Sequence, residues 1–390
     1  MISFNNTKIA FAAKSNKDLQ HAYFVFKLIS INWLNNLGTN LLQLGFKLGL
    51  PLNSVVRWTV FNHFCGGETI EECDKTIQEL ARYSVKTILD YSVEGKQVDE
   101  DFDACLGKAV ASIEKASKDT NVPFCVIKLT GLIPFNLLKK VSEGNGINED
   151  ENISFLKGRN RVDIIAKNAY EAGIPLMIDA EESWIQEAID EIALLMMKRY
   201  NKKRAIVYNT LQMYRHDRLN YLKSLFKVSS DEDFYLGVKI VRGAYMEKER
   251  ERAATKGYPS PIQNDKFSTD CDFNEALVFC VENVKRIALC CGTHNEESSL
   301  LLTELMKDHA IPKDQPSIYF SQLLGMSDHI SFNLANAGFN VAKYVPYGPI
   351  KDVMPYLIRR ADENTSISGQ TGRELSLIMQ EKKRRKIAEK

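Results

Sequence analysis

Leu236–Tyr245 reads LGVKIVRGAY, and its pattern is the key to the rest of the chain. Its apolar run of strand length, set with one lysine, stops at Arg242, and Gly243 opens a turn. The same kind of run recurs at Val85–Asp90, Phe124–Lys128, Pro175–Asp179 and Ala205–Gln212 on the N-terminal side. On the other side lie Arg286–Gly292, Ser317–Gln322 and Val341–Val345. A helix over Ile70–Tyr83 leads in, and patterned helices such as Trp184–Tyr200 and Asn274–Val284 fall between the runs. Apolar strands alternating with helices predict a parallel sheet covered on both faces. Eight such units predict a closed, distorted (β/α)8 barrel of the TIM type with extra N-terminal helices, rather than an open sheet.

The division expected along the chain is an N-terminal helical region over residues 1–84, the barrel over 85–370 and a basic helical tail over 371–390. Ser142–Arg161, with Gly144, Gly146, Asn148 and its acidic residues, reads as a polar loop. Tyr245–Phe273, highly charged at first (MEKERERAATKG), reads as an insertion after a strand end, where a lid would sit. Within Leu28–Phe46 the residues Ile31, Leu34, Leu37, Leu41, Leu42 and Phe46 recur near a helical period, with amides opposite. That stripe docks on the protein's own core or lies on a membrane surface. The tail QEKKRRKIAEK, Gln380–Lys390, is a solvated helix end or a dock for anionic lipid.

Composition removes whole classes. With 390 residues, 44% of them hydrophobic and 11 prolines, the chain is neither disordered, collagenous nor a small disulfide scaffold. Lys plus Arg is 51 against 50 for Asp plus Glu, so no overall charge draws it to nucleic acid. Eight cysteines without a CxxC read as core thiols in a reducing compartment. Six histidines without ligand spacing predict no bound metal. Five amides in Leu28–Phe46 argue against a spanning helix, and the first residues lack the features of a signal or transit peptide. The expected location is the cytoplasm, with at most peripheral contact at the inner face of a membrane, or the matrix side in a eukaryote.

The polar residues at the strand ends carry the chemistry. Lys128, Asp179, Gln212, Arg242, His294 and Tyr344 each close or follow a strand, and barrel enzymes work at that face. No GxGxxG or GxxxxGK[ST] follows a strand, so side chains such as Lys239, Arg242 and His294 would have to hold any pyrophosphate. In YLIRRADEN, Tyr356–Asn364, a helix brings Tyr356 within a turn of Arg359 and Arg360. Two planar guanidinium forks beside an apolar patch suit a small carboxylate, and the bland alternative is a surface Arg–Glu ladder. The residues alone indicate a barrel enzyme acting on a small anion, with a lysine-dependent aldolase using Lys128 as Schiff base as the other reading.

LDYSVEG (89–95), VIKLTG (126–131), MIDAEES (177–183), KIVRGAYMEKER (239–250), GTHN (292–295) and YVPYGPIKDVMPYLIRRADEN (344–364) occur in an order that resembles the proline dehydrogenase family. The likeness covers about 70% of the chain and is strongest with the monofunctional, eukaryote-like branch; the chain is too short for the aldehyde dehydrogenase fused in many bacterial members. It implies FAD-dependent oxidation of L-proline to Δ1-pyrroline-5-carboxylate, with hydride leaving C5 for flavin N5 and electrons passing to a membrane quinone. This would be the first step of proline catabolism to glutamate. By motif, Arg359, Arg360 and Lys128 would meet the substrate carboxylate. Tyr344, Tyr356 and Leu323 would pack on the pyrrolidine ring, Asp179 would support the pocket, and Glu94 would pair with the first arginine as a gate. Gln212, Lys239, Arg242, Tyr245, Thr293 and His294 would contact FAD, with Glu363 towards its adenosine. Many bacterial members carry Arg where Lys239 stands and Lys where Arg242 stands. Hydroxyproline is the alternative substrate, and Tyr344, which would crowd C4, favours proline. A redox-dependent membrane- or DNA-binding regulator is a third reading, and nothing before residue 50 resembles the segment that some long relatives use to bind DNA.

Overall fold

The computed structural model describes residues 2–29, 53–92, 98–366 and 370–386. Its eight strands are β1 Val85–Tyr91, β2 Phe124–Ile127, β3 Leu176–Ile178, β4 Val207–Gln212, β5 Leu236–Val241, β6 Ile287–Gly292, β7 Ile318–Leu323 and β8 Val341–Tyr347. They close into a barrel in sequence order, each beside its neighbour in the chain. Every strand expected from the apolar runs is present. They were legible because both faces of a barrel strand are covered, which leaves each one predominantly apolar.

The main helices are α1 Thr7–Ala10, α2 Asn16–Ile29, α3 Ile70–Ala81, α4 Asp99–Lys118, α5 Phe135–Ser142, α6 Glu149–Ala172, α7 Ser183–Tyr200 and α8 Arg218–Asp231. They continue with α9 Met246–Lys256, α10 Lys266–Glu282, α11 Glu296–Asp308, α12 Asp328–Asn336, α13 Ile350–Ser366 and α14 Gln370–Arg384. Three short contiguous helical pieces, Asn53–Val56, Arg57–Phe61 and Asn62–Phe64, precede α3.

One expectation needs correction. Ser142–Arg161 is not a loop: α6 begins inside it, at a capping box in which Asn148 and Glu151 satisfy each other's backbone N–H. The acidic residues that suggested solvent are Glu149, Asp150 and Glu151, a favourable set for a helix's first turn. The Tyr245–Phe273 insertion is largely helical as well, holding α9 and the start of α10.

The chain forms two compact units, Met1–Thr87 with Gln322–Lys390, and Ile88–Ser321. In the unit Ile88–Ser321, strand alternation puts Phe124, Tyr208 and Tyr319 on one side of β2, β4 and β7. Their rings meet edge to face, Phe124 lying 5.6 Å from Tyr208 and 4.9 Å from Tyr319. Gly237 makes room for them, because a Cβ there would come within 2.9 Å of the Tyr208 ring. In the other unit, Ala10, Phe11, Leu19, Ala22 and Phe26 of the N-terminal segment pack with Leu377 and Ile378 of α14.

The basic tail is therefore partly internal. Lys382 is only 4% exposed and lies 4.1 Å from the Tyr23 ring centroid. Arg385 donates to the carbonyls of Phe11 and Lys14 and to Glu381. Lys383, Arg384 and Lys386 remain exposed. Residues 30–46 of the apolar stripe lie outside the described residues. Among the described residues, no helix is long and apolar enough to cross a membrane.

Candidate active site

Alternation also decides which strand-end residues meet. Phe124, Val126 and Lys128 share one side of the β2 line, as do Met177 and Asp179 after β3, and Gly237 and Lys239 on β5. Lys128 Nζ donates to Asp90 Oδ1 at 3.0 Å and Oδ2 at 3.1 Å, and lies 3.2 Å from Asp179 Oδ2. Lys239 Nζ donates to the other oxygen of Asp179. Ser92 Oγ donates to Asp90 Oδ2 at 2.6 Å. The result is a buried ladder of alternating charge, Asp90–Lys128–Asp179–Lys239. Burial pushes the Asp179 carboxyl up, but Lys239 and then Lys128 outweigh it and hold the group below the usual carboxylate range. Asp90 had no place among the expected site residues. Its signal was the same as that of Asp179: a lone carboxylate at the end of an apolar strand.

Lys239 and Arg242, grouped in the sequence, part company. Three residues apart on an extended chain, they face opposite ways. Arg242 turns to the helices, with Nε to Asp270 Oδ1 at 2.8 Å, Nη1 to Thr293 Oγ1 at 2.7 Å and Nη2 to Ser298 Oγ at 2.9 Å. Its guanidinium lies 4.3 Å from the Phe273 ring centroid. Thr293 also accepts from Asn295 N, the residue that caps α11. His294 and Tyr245 are half-buried on the same strand-end loops. Gln212 donates Nε2 to the Glu181 carbonyl at 2.7 Å.

The MIDAEES segment does structural work that sequence reading missed. Glu181 accepts from Thr130 N at 3.1 Å and Thr130 Oγ1 at 2.5 Å, which fixes the turn after Lys128. Glu182 pairs with Lys248. Ser183 donates through N and Oγ, each at 2.6 Å, to the fully buried Glu249 of α9. Arg252 of the same helix lies 4.4 Å from the Trp184 ring centroid. The expected lid thus begins as a helix fastened to the start of α7.

The remaining candidates belong to the unit Met1–Thr87 with Gln322–Lys390. On α13, Tyr356 and Arg360 are buried, and the Arg360 guanidinium is 5.0 Å from the Tyr356 ring centroid. Arg359, beside them, is partly exposed. Tyr356 packs in a cluster with Phe61, Phe64, Val353 and Leu357, and Leu323 packs against that cluster. Tyr344 is buried on β8, and its carbonyl accepts from Leu324 N at 2.8 Å. Next to it, the fully buried Lys343 donates to the carbonyls of Leu323, at 3.3 Å, and Met326, and pairs with Asp328 at 2.8 Å. This lysine therefore holds the loop after β7 in place. Glu363 lies on α13, its side chain outside the described set, and Glu94 lies outside the described residues.

A family model described as proline dehydrogenase matches residues 73–373. The chain belongs to the proline dehydrogenase family. Proline dehydrogenase 1, mitochondrial, of Dictyostelium discoideum is 33% identical over 97% of this chain and 74% of its own length. The carbapenem antibiotics biosynthesis protein CarD of Pectobacterium carotovorum is 34% identical over 83% of this chain and 84% of its own. Among solved structures, proline utilization A (PutA) from Bdellovibrio bacteriovorus matches 95% of the chain with a TM-score of 0.71 at 18% identity. The chain spans about two fifths of that longer protein, and the likeness concerns the barrel fold.

Proposed function

We propose that this proline dehydrogenase family member oxidises L-proline to Δ1-pyrroline-5-carboxylate, with FAD as its cofactor and a membrane quinone as the next electron acceptor. The observation that carries the reading is the Arg359–Arg360 pair on α13, with Arg360 against the Tyr356 ring. Guanidinium forks beside an aromatic face match a substrate that is a carboxylate at one end and a hydrocarbon ring at the other. Arg359, Arg360 and Lys128 would bind the carboxylate, while Tyr344, Tyr356 and Leu323 would enclose the ring. Fixing the substrate in this way contributes roughly 7–11 kcal/mol towards the barrier when the alignment is good.

The donor set fits a flavin dinucleotide. Arg242, Thr293 and His294 offer a guanidinium, a hydroxyl and an imidazole, the groups a pyrophosphate takes, and Gln212, Lys239, Tyr245 and Glu363 would complete the contacts. FAD, when bound, supplies the two-electron acceptor. Asp179 would act indirectly, by holding Lys128 and Lys239 in place. The alternative of a lysine-dependent aldolase is disfavoured because a Schiff base requires a free amine, whereas Lys128 Nζ lies between two carboxylates. Tyr344 favours proline over hydroxyproline. Quinone delivery calls for peripheral membrane contact, in a bacterial cytoplasm or on the matrix side in a eukaryote.

The test is direct. Purified protein should carry the yellow flavin absorbance, and anaerobic L-proline should bleach it. A colourless protein, or a yellow one indifferent to proline, would overturn the proposal.

A further inference from the structure

The helix that carries Tyr356, Arg359 and Arg360 begins at Ile350, immediately after Gly348 and Pro349. The start of a helix leaves backbone N–H groups without partners in the helix. Pro355 within α13 removes a further rung of the ladder, because it has no N–H to donate. The first turn therefore needs an anchor from elsewhere in the fold.

That anchor is the segment Cys65–Thr69, CGGET. Gly66 N donates to the Pro346 carbonyl at 2.9 Å, and Gly348 N donates to the Gly67 carbonyl at 3.2 Å. Gly67 and Tyr347 form a parallel bridge, so the segment runs alongside the end of β8. The approach is close enough to exclude side chains. A Cβ on Gly66 would lie 2.4 Å from Val345 Cγ1, and one on Gly67 would lie 2.4 Å from Glu72 Cβ. The two glycines deliver Glu68 to the start of α13, where its Oε2 accepts from Ile350 N at 3.3 Å. Its other oxygen accepts from Arg57, and Glu72 accepts from Glu68 N at 3.0 Å, so the carboxylate is aimed from two sides. A negative group at this end also complements the helix dipole.

We propose that Glu68 is a positioning residue for the substrate arginines: it fixes the start of α13 and, through the helix, where Arg359 and Arg360 stand. The proposal rests on the carboxylate-binding role given to those arginines above. At 1.5 Å per residue Tyr356 lies about 9 Å along the helix from Ile350 and Arg359 about 14 Å, so a small change of direction at the first turn displaces the guanidinium groups. Misplacement of binding groups by about an ångström is enough to weaken substrate capture.

The experiment uses full-length, flavin-loaded protein and the substitutions Glu68→Ala and Glu68→Gln. Glu68→Ala should raise the KM for L-proline on the order of tenfold while leaving kcat and flavin content near wild type, the loss expected of one helix cap acting on binding. Backbone amides over residues 350–360 should exchange with deuterium faster by a similar factor. Glu68→Gln, which keeps an acceptor for Ile350 N, should fall between the two. Unchanged exchange would overturn the anchoring, and faster exchange with an unchanged KM would overturn the positioning role. If wild-type protein leaves proline unoxidised, the functional reading fails, while the exchange data still decide whether Glu68 anchors α13.

Discussion

Replacing Asp179 with Asn tests whether the charge ladder is a structural asset of the barrel. The carboxylate is held between two lysines, and the three side chains are 13%, 11% and 7% exposed for Asp179, Lys128 and Lys239. Removing one member of a buried ion pair costs about 3–5 kcal/mol, because the remaining charge is left without its compensation. Lys128 keeps Asp90, so the expected loss is at the low end, about 3 kcal/mol. The sign with pH follows from the depressed carboxyl. Its contribution is fully present above the unfolded-state value of about 4 and is lost as pH falls through the lower folded value. Urea unfolding of wild type and Asp179→Asn, followed by circular dichroism, should show a lower midpoint at pH 7 with an unchanged slope. The gap should shrink as the pH is taken below about 4. A difference under about 1 kcal/mol at pH 7, or a gap indifferent to acid, would refute the ladder as a source of stability.

Arg359→Met and Arg360→Met should each raise the proline KM by roughly 10- to 150-fold with the circular dichroism spectrum preserved, the scale of a lost hydrogen bond to a charged group; two unaffected KM values would remove the carboxylate clamp. Tyr344→Ser should move the ratio of kcat/KM for 4-hydroxyproline over proline upwards by opening space beside C4, and a constant ratio would show that Tyr344 does not face that carbon. For membrane contact, Lys383→Gln combined with Lys386→Gln removes two exposed charges and spares Glu381, Lys382 and Arg385, which hold α14 to the N-terminal helices. At about 1 kcal/mol per charge, binding to anionic vesicles at low salt should fall by roughly 30-fold, and equal sedimentation of both proteins would discard the tail as the contact.

The barrel was readable because its strands are mostly apolar and several end on isolated polar residues. The misread segment, Ser142–Arg161, shows the limit of reading composition without position. Glycine, asparagine and acidic residues look like loop, yet the spacing of Asn148 and Glu151 is a helix start. Three of the four members of the charge ladder were legible, since Lys128 and Asp179 stand at strand ends and Lys239 lies on β5 in the KIVRG motif. Asp90 stands one residue before the end of β1 in a motif that also holds Glu94, and sequence position alone does not tell which of the two carboxylates meets Lys128. Lys239 and Arg242, three residues apart on a strand, point in different directions, which the spacing already implies, and so meet different partners: Asp179 for Lys239, and Asp270, Thr293 and Ser298 for Arg242. Glu249 and Glu68 left no local signal, because each is defined by a partner far along the chain.

The fastening of α9 to α7 bears on any attempt to shorten or rewire this chain. Charged insertions in barrels are usual candidates for deletion, and exposed turns for new termini. Removing Met246–Lys256 would strip the Ser183 backbone and hydroxyl of their acceptor and uncover the indole of Trp184. The stretch that follows is different: Gly257 ends the helix in a left-handed turn at φ 73°, and α10 begins only at Lys266. New termini opened at Pro259 or Ser260, ahead of the pairing of Pro261–Gln263 with Tyr214–His216, would leave α9 whole and Glu249 against Ser183, so a circular permutant cut there retains the fastening that a deletion destroys.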